Sequence, residues 1–148
     1  MDYRTAFAIS ATGMNIEKMR VEMVALNLAN ANSVAGPDGD LYQPRRVITR
    51  PSEATSFAMH IGGALRNISL PSGAELRDIG FVNTAPRRVY DPGHPVADDR
   101  GYVNYPNINP VSEMLELIEA TRAYEANVRA LNAAKTMASV ALEIGSRS

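Results

Sequence analysis

The fold of this chain is decided by its last third, in which residues 101–145 read GYVNYPNINPVSEMLELIEATRAYEANVRALNAAKTMASVALEIG. A short aromatic loop leads there into a predicted helix of about thirty-five residues. Apolar side chains recur in it at seven-residue spacing, a pattern that is typical of helix pairing. The two columns are Leu117, Tyr124, Leu131 and Ala138, and Met114, Thr121, Val128 and Leu142.

Local signals set the ends of this helix. Asn109 is a predicted N-cap and Pro110 the first helical residue, where the missing N–H of proline costs nothing. Gly145 is the predicted end. A helix of this length extends roughly 50 Å, which exceeds the diameter of a compact domain of this size, so it needs a partner along its flank.

Composition limits the function classes. The 148 residues are 45% hydrophobic, which is enough for a domain with a real core. The net charge of −1 gives no sign of a nucleic-acid partner or of an anionic membrane, and the absence of Cys excludes disulfides and thiolate metal sites. The N-terminus lacks the apolar region of a signal peptide, so we expect that any export leaves the N-terminus in place.

A second long helix is predicted over residues 4–30. Its first apolar stripe consists of Phe7, Met14, Val21 and Leu28, and its second consists of Ile9, Ile16 and Met23. The stripes lie roughly 200° apart at 100° per residue, so one partner helix cannot cover both. We favour a helix with different neighbours on its two sides over one whose second stripe merely lies on the surface. Gly13 indicates a bend or a close helix approach.

The middle of the chain predicts short strands and tight turns. Residues 45–50 lie between two prolines and suit an edge strand. Residues 75–82 form a second predicted strand, with 87–90 as its partner. The pattern of residues 52–73 is compatible with a helical turn and with a strand, and it does not distinguish between them. Turns are predicted at residues 36–40, 91–95 and 98–101, where Pro, Gly and Asp cluster.

Catalytic and metal-binding patterns are missing from the sequence. The two histidines, His60 and His94, have no second ligand at metal-motif spacing, and no phosphate-binding loop or nucleophile elbow occurs. Three carboxylates lie in the early turns of the last helix, where a solvated face favoured by the helix dipole explains them better than an acid pair. They are Glu113, Glu116 and Glu119. The prediction is no enzyme, no cofactor and no metal, and the alternative is a small nucleic-acid-binding or regulatory helical module.

Several strings resemble flagellar rod and hook proteins. NLANANS at 27–33 is similar to the N-terminal motif of this axial family, and GPDG at 36–39 with Tyr42 resembles one branch of it. Downstream strings resemble the proximal-rod branch: YDPGHP at 90–95, GYV at 101–103, YPNIN at 105–109, RAYEANV at 122–128 and LNAAK at 131–135. The motif residues are Asn27, Asn30, Asn32, Pro37, Gly39, Pro92, Gly93, Tyr124, Asn127 and Asn132.

The resemblance implies a mainly α fold with a small β insert. The long N- and C-terminal helices would pair as a coiled-coil-like hairpin. Residues 1–35 with 107–148 would form a discontinuous helical axial core, and residues 36–106 would form a small β-rich insert with loops. Within the chain we expect the stripe that begins at Phe7 to pack on Leu117, Tyr124 and Leu131, which leaves the Ile16 stripe for a neighbouring subunit.

The resemblance also implies a function. The chain would be a structural subunit of the periplasmic proximal rod, polymerising helically through its terminal helices to transmit motor torque to the hook. Its partners would be copies of itself, other rod proteins and the flagellar type III export apparatus, with no nucleic acid and no direct membrane insertion. The expected interface residues are Phe7, Ile9, Met14, Ile16, Val21, Met23, Leu28, Leu117, Tyr124, Val128 and Leu131.

Overall fold

The structure, a computed structural model, describes residues 3–35, 40–52 and 73–146. Along the chain, a small β region lies between two long helices. This order confirms the expected mainly helical fold with a small β insert. The elements are α1 (Tyr3–Ala29), β1 (Arg45–Pro51), β2 (Ala74–Phe81), β3 (Arg87–Tyr90), β4 (Tyr102–Tyr105) and α2 (Pro110–Ser146). The predicted turn at 36–40, apart from its last residue, and nearly all of the undecided segment 52–73 lie outside the described residues.

The expected start of α2 is confirmed. The side-chain oxygen of Asn109 accepts hydrogen bonds from the backbone N–H groups of Val111 at 3.0 Å and Ser112 at 3.5 Å. Pro110 is the first helical residue. The N-cap satisfies backbone donors that have no partner within a helix.

The Asn-rich string ends α1 through its side chains. The amide nitrogen of Asn30 donates to the carbonyl of Leu26 at 2.8 Å, and the hydroxyl of Ser33 donates to the carbonyl of Asn30 at 2.9 Å. Each of these carbonyls also accepts a backbone N–H at 3.1 Å, from Asn30 and from Ser33 respectively, so the side chains add a second hydrogen bond to carbonyls at the helix end.

The strands pair in two separate two-stranded sheets, β1 with β2 and β3 with β4. The expectation that β3 pairs with β2 is wrong, and the predicted aromatic loop at 102–105 is a strand instead. Val103 is only 1% exposed and lies opposite the half-buried Val89, so this cross-strand apolar contact favours the observed pairing. Hydrogen bonds at the two ends of the first sheet, from Val82 to Pro44 and from Ser52 to Gly73, make it antiparallel.

The loop between β3 and β4 is held by one carboxylate. Oδ1 of Asp98 accepts from the backbone N–H of Arg100 at 2.9 Å and of Tyr102 at 2.8 Å, and Oδ2 accepts from the guanidinium of Arg88 at 2.7 Å. The backbone of Gly101 donates to the carbonyl of Asp98 at 2.8 Å, which confirms the predicted turn there. Gly101 has a φ of 77°, a conformation that suits glycine.

The chain divides into two compact units, each built from parts of both helices. One consists of Met1–Lys18, Thr49–Arg77 and Thr121–Ser148, and the other consists of Met19–Ile48 and Asp78–Ala120. In the first unit, a Cβ atom at Gly13 would lie 2.9 Å from Nδ2 of Asn127. Gly13 therefore marks a close approach of α1 and α2, one of the two roles expected for it.

Burial along the helices departs from the predicted stripes at particular positions. Ile16 is only 6% exposed, so the expectation that its stripe is left bare within the chain is wrong there. In α2 the predicted second column fails at Met114, which is 50% exposed, while Ala120 and Ala134 are buried at 3% and 5%. Small side chains allow a helix backbone to lie close to its neighbours, which periodicity of large residues does not reveal.

The Gly13 contact predicts a context-dependent effect of Gly13→Ala. Alanine favours a helix interior over glycine by about 1 kcal/mol, but its methyl group would meet the Asn127 amide. In the Asn127→Ala background, Gly13→Ala should raise the free energy of unfolding by about 1 kcal/mol. In the natural background the gain should vanish or reverse. Urea denaturation followed by circular dichroism measures both, and equal effects in the two backgrounds would exclude the contact.

The Asp98 contacts predict a pH dependence of the β3–β4 loop. The pKa of Asp98 is lowered below its usual 3.8, chiefly by the backbone hydrogen bond from Tyr102. The backbone N–H of Arg100 and the charge of Arg88 lower this pKa further, while desolvation opposes the shift. A lowered pKa means that the ionised carboxyl stabilises the loop above pH 3.8 and that this contribution is lost as the pH falls through the folded-state pKa. NMR titration should give a lower Asp98 pKa in the natural chain than in Arg88→Ala, and the same pKa in both would remove Arg88 from the cause.

Candidate functional site

Asn27, in the last turn of α1, is completely buried, with 0% of its surface exposed. Its side-chain oxygen accepts from the Tyr42 hydroxyl and from the Arg45 backbone N–H, both at 2.9 Å. Its nitrogen donates to the Arg45 carbonyl at 3.0 Å and to Oε2 of Glu113 at 3.1 Å. An amide side chain has two donors and two acceptor positions, so every one is used.

Glu113 continues this network from the first turn of α2. It is 3% exposed, and its Oε1 accepts from Nη2 of Arg46 at 2.7 Å. The other guanidinium nitrogen of Arg46 pairs with Glu116, one turn along the helix. A buried carboxylate is costly unless it is neutralised and hydrogen-bonded, and Arg46 with Asn27 supplies both conditions.

The Asn27 cluster, defined as Asn27, Tyr42, Arg45, Arg46, Glu113 and Glu116, joins three separate segments. Asn27 lies 86 residues from Glu113 and 18 from Arg45 along the chain. The end of α1, the start of β1 and the start of α2 are therefore held by one set of side chains. Burial raises the pKa of Tyr42, so its hydroxyl remains protonated and able to donate at neutral pH.

The cluster corrects the interpretation of the α2 carboxylates. Glu113 is not on a solvated face, because both of its oxygens are engaged inside the protein. Among residues 3–35, 40–52 and 73–146, no group of three or more His, Cys, Asp or Glu side chains could hold a metal ion. A cleft of about 190 Å³ adjoins Arg46 and Glu113. The cluster binds chain segments to each other and offers no free acid or base.

The sequence contained a partial signal for this cluster. Asn27 opens the family motif, and Asn within a helix is unfavourable unless its side chain has a specific partner. Arg46 and Glu113 carried no such signal, because no local pattern connects an arginine at a strand start to a glutamate on a distant helix.

The remaining motif residues have separate roles. Asn30 caps α1, Asn127 lies against Gly13, and Pro92 lies close to Gly101, where a Cβ atom would be 3.1 Å from that of Pro92. Asn32 and Asn132 are exposed. Gly93 has room for a side chain, since the nearest atom to a Cβ there would be 3.7 Å away. Tyr124 is 40% exposed, and Pro37 and Gly39 lie outside the described residues.

The expected interface residues are mostly half-buried. This holds for Phe7, Ile9, Met14, Val21, Met23, Leu28, Leu117, Val128 and Leu131, whereas Ile16 is buried and Tyr124 is exposed.

Two exposed apolar patches on α2 were missed by the sequence interpretation. The N-terminal patch consists of Val111, Met114, Leu115 and Ile118, and the C-terminal patch consists of Met137, Val140 and Ile144. Their exposed fractions run from 48% to 75%. The signal was present in the sequence as a spacing of three, four and seven residues, but it differs from the column that begins at Leu117.

Among the residues that the structure describes, no helix combines the length and the apolar character that crossing a bilayer requires.

Comparisons with known proteins converge on one family. Residues 99–144 match the family model described as the C-terminal part of the flagellar basal body rod FlgEFG protein. Flagellar basal-body rod protein FlgC of Escherichia coli O6:H1 is 34% identical over 139 residues, which cover 94% of this chain and 95% of the relative. FlgC of Salmonella typhimurium is 36% identical, with 94% and 95% covered, and FlgC of Aquifex aeolicus is 37% identical, with 91% of each covered.

The Asn27 cluster predicts a large effect of Asn27→Asp. The new carboxylate would face Glu113 without a proton to donate, so the free energy of unfolding should fall by about 3 kcal/mol at neutral pH. The loss should shrink as the pH falls, because a proton shared between the two carboxyl groups would relieve their repulsion. Denaturation curves at several pH values measure this. The matched control is Asn32→Asp at an exposed position of the same motif, and a similar loss in both variants would contradict the prediction.

Proposed function

Because this chain belongs to the FlgC family of flagellar basal-body rod proteins, and is a structural subunit of that rod with no enzymatic role, we propose that it polymerises helically with copies of itself and with other rod proteins through its two terminal helices. The observation that carries the proposal is the exposure of large apolar side chains along α2. Leu115 is 58% exposed and Ile144 is 69% exposed, in a helix that elsewhere buries alanines. Exposed apolar patches of this kind mark interaction surfaces.

The two helices form the axial core in this proposal. Residues 1–35 with 107–148 supply the core and residues 36–106 supply the insert. Within the chain, α1 and α2 pair in a coiled-coil-like manner, with Leu117, Tyr124 and Leu131 facing the stripe that begins at Phe7. The close approach of Gly13 to Asn127 supports this pairing at one level.

The Asn27 cluster gives the subunit mechanical integrity. A rod that transmits torque from the motor to the hook loads each subunit along its helices, and a load on one helix must reach the other without separating them. The bonds from Asn27 to Glu113 and to Arg45 connect α1, β1 and α2 directly. Buried, fully satisfied polar networks make such a junction rigid, because opening it would leave polar groups unpaired.

The rod is proposed to lie in the periplasm, and the chain to reach it through the flagellar type III export apparatus without signal cleavage. The alternative of a nucleic-acid-binding or regulatory module has no support from the relatives described above, which are named as basal-body rod proteins.

A deletion of the gene in its own host tests the function. Isolated basal bodies should stop before the rod is complete when viewed by electron microscopy, and cells should not swim. The natural chain and an Arg129→Ala variant, altered at a side chain that is 83% exposed, should both restore the rod. Complete rods in the deletion strain would refute the proposed function.

A further inference from the structure

We propose that the Asn27 cluster sets the register of β1, which means that it selects the residues of this strand that meet the end of α1 and the start of α2. Asn27 recognises the backbone of the strand, and Glu113 recognises one of its side chains. These contacts lie within a single copy of the chain, so this role is separate from the proposed assembly into a rod. Fixing register is the best-attested use of buried polar groups, which stabilise less than apolar packing does.

Apolar burial does not specify the register of β1. No residue from Arg45 to Pro51 is fully buried, and the half-buried ones, Arg46, Val47 and Thr49, lie on both faces of the strand. Register is strongly fixed where one face of a strand is buried and weakly fixed where neither face is. Sliding β1 by two residues would therefore change its apolar burial little.

The connections on either side of β1 leave its register open as well. The helix α1 ends at Ala29 and β1 begins at Arg45, while β1 ends at Pro51 and β2 begins at Ala74. A two-residue hairpin turn dictates which strand residues pair. A long connection does not, because a change of two residues in its length costs little free energy. The register therefore has to come from contacts that the strand itself makes.

Asn27 binds β1 as a neighbouring strand would. Its side-chain amide accepts a hydrogen bond from the Arg45 N–H at 2.9 Å and donates one to the Arg45 carbonyl at 3.0 Å. Two residues of antiparallel strands exchange the same pair of bonds. Pro44, one residue earlier, points to the other side, where its carbonyl accepts from the Val82 N–H at 2.8 Å. Asn27 thus takes the place of a third strand at one residue.

This exchange of bonds excludes a slip of β1 by one residue. Such a slip would turn every side chain of the strand to the opposite face. In one direction it would also bring Pro44 to Asn27, and proline has no N–H to donate. A slip by two residues would bring Val47 to Asn27, and the backbone of Val47 could make both bonds. Asn27 alone therefore leaves registers that differ by two residues undecided.

Glu113 excludes a slip by two residues. Its carboxylate is buried, and its Oε1 accepts from Nη2 of Arg46 at 2.7 Å. A two-residue slip would replace Arg46 by Pro44 in one direction and by Ile48 in the other. Neither side chain carries a charge, so the carboxylate would lose its cation inside the protein, which is strongly unfavourable.

Tyr42 opposes the next register that would supply a cation. A slip by four residues keeps the faces of the strand and would bring Arg50 to Glu113. In the observed register, the Tyr42 hydroxyl donates to the side-chain oxygen of Asn27 at 2.9 Å. A four-residue slip would bring Arg46 to the position of Tyr42, and this bond would be lost. Only the observed register satisfies all three contacts.

Moving the arginine by two residues tests this role without a change in composition. In Arg46→Ile/Ile48→Arg, the introduced arginine meets Glu113 only if β1 slips by two residues. NMR of the purified, isotope-labelled chain measures the slip through nuclear Overhauser effects from the side-chain amide protons of Asn27. In the natural chain they should reach the backbone N–H of Arg45, and in the double variant they should reach that of Val47.

Arg46→Lys is the matched control, because it keeps a cation at the natural position and should retain the contact between Asn27 and Arg45. A two-residue shift in the double variant, absent from the control, supports the inference. A double variant that folds with Asn27 still against Arg45 would overturn it, since the cluster would then stabilise a register that other contacts set.

A second variant decides the question if the double variant does not fold. Arg46→Ala/Glu113→Gln leaves no buried charge without a partner, and the new amide still offers an oxygen to Asn27. Without the charge pair, only Asn27 and Tyr42 hold β1, so Asn27 should contact both Arg45 and Val47 in exchanging registers. A single natural register in this variant would overturn the inference.

Discussion

The structure depends on the complete hydrogen bonding of one buried amide. Asn27 has no exposed surface, and each of its four hydrogen-bonding positions has a partner on a different part of the chain from α1. Leaving even one of these groups unpaired in the interior would cost about 1–3 kcal/mol. The end of α1, the start of β1 and the start of α2 therefore cannot move apart independently. Glu113 extends the same constraint to Arg46, since its buried charge requires that partner.

Away from this cluster, the buried positions of α2 are occupied by small residues. Ala120 and Ala134 are buried where a coiled coil usually carries large apolar side chains, and Asn127 fits against Gly13. Close contact between backbones needs small side chains, whereas several large apolar residues of α2, among them Leu115 and Ile144, lie exposed.

A rod subunit needs two kinds of interaction, one that holds a single copy of the chain together and one through which other subunits can bind. The polar Asn27 cluster serves the first requirement, because its bonds lie within one copy of the chain. The exposed patches of α2 serve the second, because nothing in the described part of the chain covers them. The contacts that fold the chain are therefore different from the contacts through which we propose that it assembles. Neither set of contacts requires catalytic or metal-binding residues.

The sequence by itself determined both helices, the Asn109 cap, the Asn-rich end of α1, the turn at Gly101 and the family. Each of these depends on interactions within a few residues or on recognisable strings. Only the tertiary structure decided that β3 pairs with β4, that Ile16 is buried and that Glu113 lies inside the protein. These outcomes depend on partners far along the chain, such as Asn27 for Glu113 at a separation of 86 residues. Periodicity identifies which side chains are apolar or charged, but the contacts that bury them form only when distant segments meet.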